Sequence, residues 1–125
     1  MTNAAKRILI IDDDKFFIRL MDMALKQSGY EVLLALQGKE AIEILKQQTV
    51  DMIIVDLMMP ELDGLGFLHW LRQEAKLDTP TLVQTGMAKA STEEEVKAAG
   101  GSALIYKPVK VPQLIAKVKE LEALL

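Results

Sequence analysis

The apolar residues of this chain occur in two alternating kinds of stretch. One kind is short and continuous: Ile8-Leu9-Ile10-Ile11, a Val- and Leu-rich run over 31–36, Met52-Ile53-Ile54-Val55 opened by Asp51, the segment 80–84, and Ala103-Leu104-Ile105-Tyr106. Runs of this length, bounded by turn residues, read as strands buried on both faces. The other kind is longer and periodic. Phe17, Leu20, Met21, Ala24 and Leu25 fall on one helical face, closed by Gly29. Ala41, Ile42 and Leu45 turn inward in a second helix over 38–47, and Leu65, Leu68 and Leu71 mark a third that ends near Lys76. Ser91 and Glu94 have capping-box spacing, so a short fourth helix runs to Ala99 with Gly100 as its cap. Val111, Leu114, Ile115, Val118, Leu121 and Leu125 define a closing helix that reaches the last residue, with Pro112 in its first turn, where proline is tolerated.

Five strand–helix pairs in strict alternation, with short connections, predict an α/β fold: a five-stranded parallel sheet, doubly wound, with helices on both faces. One domain over 1–125 accounts for the pattern, with no repeat, low-complexity segment or linker to interrupt it.

The polar residues at the strand ends add chemistry to this architecture. Strand one ends in Asp12-Asp13-Asp14, strand three in Asp56, strand four in Thr85-Gly86 and strand five in Lys107-Pro108. In a parallel sheet these ends share one edge, and ligands of open α/β sheets bind in the crevice outside the carboxyl ends of the strands. Carboxylates crowded there repel one another and raise their pKa values. A hard divalent cation relieves that repulsion, and Mg2+ suits a site of one or two direct carboxylates, waters and a phosphate oxygen. Lys107 supplies a further positive charge and Thr85 a hydroxyl donor. Together the groups describe a seat for a phosphoryl group, with Asp56 the natural nucleophile, forming an acyl phosphate.

Composition removes competing classes. Among 125 residues half are hydrophobic, enough for one filled core and against disorder. Cysteine is absent and histidine occurs once, at His69, so disulfide, thiolate and multi-histidine metal sites are excluded. A net charge of -3 without a basic run argues against direct nucleic-acid binding. No apolar stretch approaches the ~18 residues of a membrane span, and the first residues lack the pattern of a signal peptide. A cytoplasmic protein that does not meet the membrane is the expectation.

With these motifs in place, the chain resembles a receiver domain of a two-component response regulator, from Arg7 to Leu125. The Ile-Ile-Asp-Asp-Asp run, the Asp-Leu-Met-Met-Pro…Asp-Gly loop, Thr85-Gly86 and Lys107-Pro108 stand in family order at about family spacing. The resemblance implies a flavodoxin-like sheet of strand order 2-1-3-4-5. It also implies roles: Asp56 as phosphoacceptor and metal ligand, Asp13 as a direct Mg2+ ligand, Asp12 as a ligand acting partly through water, and the backbone carbonyl of Met58 completing the protein's share. Thr85 resembles the hydroxyl that moves to the phosphoryl oxygen, and Lys107 the lysine that pairs with it, joined to Pro108 by a cis peptide. The implied function is a phosphorylation-activated switch. A histidine kinase or phosphotransfer protein donates to Asp56, and the face of helix four, strand five and helix five then meets an effector protein or a following output domain. Such a domain catalyses its own phosphorylation without conventional turnover. Homodimerisation through the same face stays open.

Some positions depart from the family or have plainer explanations. The family commonly has an aromatic residue three positions before the lysine; here it is Leu104, with Tyr106 on the same face by strand alternation. Met58 and Met87 occupy positions that tune the lifetime of the phosphoryl group, and neither side chain holds an attacking water well, so slow self-hydrolysis is expected. Asp14 reads as a helix cap, His69 as a surface residue, and most of the seven methionines as core filler. A haloacid-dehalogenase-like phosphatase would need a second acid at Met58. A degenerate receiver would have lost an acid or the lysine. A dinucleotide or P-loop site would need a glycine-rich first loop in place of Asp-Asp-Asp-Lys.

Overall fold

A computed structural model describes residues 5–59, 61–86 and 90–125, with the side chains of Ala90 and Ser91 left aside. Met87 and the Ser91 side chain of the expected capping box therefore lie outside the described residues. Five strands form one parallel sheet: β1 (Arg7–Ile11), β2 (Glu31–Ala35), β3 (Met52–Asp56), β4 (Thr81–Thr85) and β5 (Ala103–Tyr106), in the order β2-β1-β3-β4-β5. The register pairs Ile10 with Leu34 and Ile54, Ile54 with Leu82, and Gln84 with Ile105. Both faces of the central strands are covered, so every residue of β3 and β4 is buried, including the polar Asp56, Thr81, Gln84 and Thr85.

The helices are α1 (Lys15–Gln27), α2 (Gly38–Gln47), α3 (Gly64–His69), α4 (Ala90–Ala99) and α5 (Val111–Glu122). On one face of the sheet, Ile8, Ile10, Ile54, Leu82 and Ile105 pack with Met21 and Leu25 of α1 and Leu114 and Val118 of α5. On the other, Leu9, Ile11, Ile53, Val55 and Val83 pack with Ala41 of α2, Phe67 and Leu68 of α3, and Val96 of α4. Asp14 is the N-cap of α1, accepting from the Phe16 and Phe17 amides, and Gly29 and Gly100 follow α1 and α4 at φ of 95° and 103°.

The helical faces differ from the expected ones at three places. In α1 the inward face centres on Ile18, Met21 and Leu25, and Leu20 is 43% exposed. Leu20 lies two residues from Ile18, about 200° around the helix, so seating Ile18 turns Leu20 outward. The third helix does not continue as an α-helix toward Lys76. It passes into a π-turn at Trp70–Glu74, and Lys76 follows at φ of 54°. Arg72 in that turn donates to the carbonyl oxygens of Gly100 and Leu77, at 2.7 Å each, so it satisfies carbonyls left over at the end of α4 and in the loop before β4. Burial lowers the Arg72 pKa, against the opposing charge of Asp78. The closing helix ends at Glu122, and bonds from the Leu124 and Leu125 amides to Leu121 and Glu122 tighten the last turn. That tightening carries Leu125 off the apolar stripe and leaves it exposed. Of the described methionines, Met21, Met52 and Met59 are buried, but Met23 and Met58 are exposed. His69 is exposed, as expected.

Candidate functional site

Strand alternation builds the site. On the face toward α1 and α5, the apolar row Ile10, Ile54, Leu82 and Ile105 is followed two residues later by Asp12, Asp56, Gln84 and Lys107. Four neighbouring segments thus each present a polar residue beyond an apolar one at one edge of the sheet, with Lys107 a rung further out because Ile105 is level with Gln84. Thr85, one residue further along β4, belongs with Val83 to the opposite face and is fully buried. Its carbonyl accepts from the Lys107 amide at 2.7 Å, which ties the end of β4 to the residue that carries the site's ammonium group.

Lys107 Nζ lies 2.8 Å from Asp56 Oδ2, and the Met58 amide donates to Asp56 Oδ1 at 3.1 Å. Asp56 is therefore held at both oxygens. Asp12 is also held at both: the Asp14 amide donates to Oδ1 at 2.9 Å, and the Gln84 side-chain amide donates to Oδ2 at 2.7 Å. Asp13 is exposed at the rim. Asp12, Asp13 and Asp56 each offer a carboxylate oxygen, all within 4.8 Å of one another, so the cluster could hold a metal ion. The Lys107–Pro108 peptide is cis. On its other side the Lys107 ammonium sits 5.8 Å from the centroid of the Phe17 ring.

Burial pushes the Asp12 carboxyl up to about 6; the Asp14 amide opposes this, and the charge of Asp56 adds to it. Burial also works against the Lys107 ammonium, but its hydrogen bond to Asp56 and the charges of Asp56, Asp12 and Asp13 outweigh that and raise its pKa above the ordinary lysine value. A set of oxygen donors with excess negative charge, two buried at Asp12 and Asp56 and one exposed at Asp13, fits a hard divalent cation that keeps part of its hydration. Asp12 would hold such a cation together with Asp13 and Asp56.

The loop after β3 is shaped by close approach. A Cβ on Gly64 would meet the Leu57 Cα at 2.7 Å and the Asp56 carbonyl oxygen at 2.8 Å, so only glycine lets α3 start against the backbone of Asp56. Leu62 lies in a notch between Gly38 and Gly66, where added methyl carbons would fall 2.9 Å and 2.8 Å from its side chain. Met58 points outward and is 60% exposed. Leu104 and Tyr106 line one recess with Val96, Lys97 and Lys117, between β5, α4 and α5.

Asp12, Asp13, Asp56 and Lys107 are brought together as expected, and Thr85 stands beside them on the next residue of β4. Two participants were not anticipated. Gln84 carries a signal in the sequence, since it is the one amide in a strand that is otherwise apolar or hydroxylated and buried on both faces. Phe17 carries none beyond its place on the inward side of α1.

A doubly wound parallel sheet with a cluster of acids and a lysine at the carboxyl edge defines a class of α/β proteins. Comparison with known proteins narrows it. The sequence matches the family described as response regulator receiver domain over residues 8–119. It is 30% identical over 115 residues to the polar-differentiation response regulator DivK of Brucella ovis, covering 91% of this chain and 94% of that one. The chemotaxis protein CheY4 of Vibrio cholerae superposes with a TM-score of 0.89 at 28% identity, over 94% of this chain and 99% of that one. A CheY-like receiver domain protein of Methanospirillum hungatei gives 0.87 at 28% identity, over 95% of each chain. This chain belongs to the response regulator receiver domain family of two-component systems.

Proposed function

We propose that the chain is a phosphorylation-activated switch in which Asp56 accepts a phosphoryl group from the phosphohistidine of a histidine kinase or phosphotransfer protein. An Asp56 carboxylate oxygen forms the new bond to phosphorus, the phosphorus–nitrogen bond to the donor imidazole breaks, and the leaving imidazole keeps the electron pair. Bound Mg2+, held by Asp12, Asp13, Asp56 and the Met58 carbonyl, would neutralise the crowded carboxylates and withdraw charge from the phosphoryl oxygens. Lys107 is already placed on Asp56 and would transfer its hydrogen bond to a phosphoryl oxygen. Thr85 would supply a hydroxyl to another. The single observation that carries this is the 2.8 Å contact between Lys107 and a buried Asp56 inside a cluster of three acids.

The added charge would bias a pre-existing equilibrium of the loops and α4, and so alter the face of α4, β5 and α5 on which Leu104 and Tyr106 lie. That face would take an effector protein or a following output domain, or a second copy of the chain. Neither nucleic acid nor a membrane is a direct partner in this scheme, and the cytoplasm is its setting. Among the described residues no helix is long and apolar enough to cross a membrane. Intact mass after incubation with acetyl phosphate tests the scheme, with and without Mg2+, on wild type and Asp56→Asn. One phosphoryl addition that requires both Mg2+ and Asp56 is expected. No addition to wild type, or addition to Asp56→Asn at the wild-type rate, would overturn it.

A further inference from the structure

Gln84 is fully buried. Its side chain points to the same face as Asp12 and Asp56 but belongs to β4, and β3 lies between β4 and β1. Neighbouring strands stand about 4.8 Å apart, so the bond from Gln84 Nε2 to Asp12 Oδ2 closes a gap of about 10 Å between strand axes. It does so at 2.7 Å, between residues 72 apart in sequence. A long side chain is needed for that reach. The other atom of the same amide, Oε1, is buried and has no hydrogen-bond partner among the described residues. A buried amide with one end committed to an acid and the other unpaired is unfavourable as a packing choice alone, because an unsatisfied buried acceptor loses its hydration without return.

We infer that Gln84 is a positioning residue of the acidic cluster. Its N–H holds Asp12 across the width of β3 in the orientation that a hydrated divalent cation requires, and its Oε1 is an acceptor for a water of that cation's hydration shell. Metal sites depend on such outer partners to orient their ligands. The inference rests on the proposed cation site, and it adds a residue that acts through Asp12 and through bound water without touching the metal.

The test is isothermal titration of Mg2+ into the whole chain, paired with thermal melts in EDTA. Gln84→Met removes both polar ends at similar volume, and Gln84→Asn keeps the amide but is too short to cross β3. Both should bind Mg2+ about 10- to 100-fold more weakly than wild type. In EDTA the melting temperature of Gln84→Met should stay close to wild type, because the lost bond to Asp12 is offset by removal of an unpaired buried acceptor. In an Asp12→Asn background, Gln84→Met should produce a much smaller further loss than in wild type. Should wild type bind Mg2+ and Gln84→Met bind it equally well, the inference fails and the cation site stands. A melting temperature that falls in EDTA with unchanged affinity would make Gln84 purely structural. Absence of Mg2+ binding by wild type would remove the cation site itself, and this inference with it.

Discussion

Replacing Asp12 by Asn should stabilise the metal-free protein at neutral pH. Asp12 is fully buried and its carboxyl is pushed up from 3.8 to about 6, chiefly by burial. An acid whose folded pKa lies above its unfolded value binds protons more tightly when folded, so the folded state loses stability as pH rises from 3.8 through about 6 and keeps the deficit above that. The interval between 3.8 and about 6, at 1.36 kcal/mol per pH unit, is about 3 kcal/mol. Asp12→Asn keeps the shape, can still accept from the Asp14 amide, meets Gln84 once that side-chain amide turns over so that its oxygen accepts from the new NH2 group, and removes the charge. Urea denaturation in EDTA should therefore show the variant more stable than wild type by up to about 3 kcal/mol at pH 7.5, and by less than about 1 kcal/mol at pH 4. Saturating Mg2+ should raise wild type toward the variant, since a ligand of the folded state stabilises by mass action. A variant less stable than wild type at pH 7.5 in EDTA, or a gain of equal size at both pH values, would refute the reasoning.

Other perturbations probe the neighbouring contacts. Phe17→Leu removes the ring beside Lys107 and should slow phosphorylation by acetyl phosphate about two- to fivefold, the worth of a partly exposed cation–π contact, with no further effect in a Lys107→Met background. Met58→Gln places an amide where an exposed thioether stands, and should speed loss of the phosphoryl label about two- to tenfold, as one hydrogen bond to an attacking water would; mass spectra over time read it, and an unchanged rate would exclude Met58 from setting the lifetime. Gly64→Ala drives a methyl group into the Leu57 and Asp56 backbone and should cost about 1–3 kcal/mol by urea titration, with weaker Mg2+ binding. Tyr30→Phe deletes a 2.6 Å bond to Glu122 that joins the start of β2 to the end of α5, and should cost about 1–2 kcal/mol; a stability equal to wild type would show that the half-buried Glu122 carboxylate is as well served by water.

The fold was legible because each strand is a continuous apolar run and each helix a periodic one, so type and order followed from local pattern. Strand order did not follow from that pattern; it came with the resemblance and matches the observed sheet. Leu20 was misplaced because it lies near the edge of the apolar arc, where the packing of Ile18 decides the rotation of α1. The π-turn was invisible because it depends on carbonyls from the end of α4 and the loop before β4, which Arg72 meets only in the folded chain. The acids and the lysine were legible for a different reason: charges at the ends of buried strands have one edge on which to gather. Gln84 and Phe17 lie within the elements, and their roles appear only when residues far apart in sequence are set side by side.

The same alternation that fills the core therefore places the site. Ile10, Ile54, Leu82 and Ile105 fix four backbone segments by packing, and the next inward residues inherit that rigidity, Asp56 and Gln84 within their strands and Asp12 and Lys107 one residue beyond theirs. The arrangement is unfavourable in isolation, since it desolvates Asp12 and leaves an amide oxygen of Gln84 unpaired among the described residues. It persists because the apolar rows beneath it over-determine where those side chains can go. Whatever neutralises the cluster recovers part of that free energy, so ligand binding at this edge and the stability of the sheet are linked. A core substitution beneath the polar row, such as at Ile54 or Leu82, should then alter the site's affinity as well as the fold's stability, whereas one on the opposite face, at Val83, should act mainly on stability.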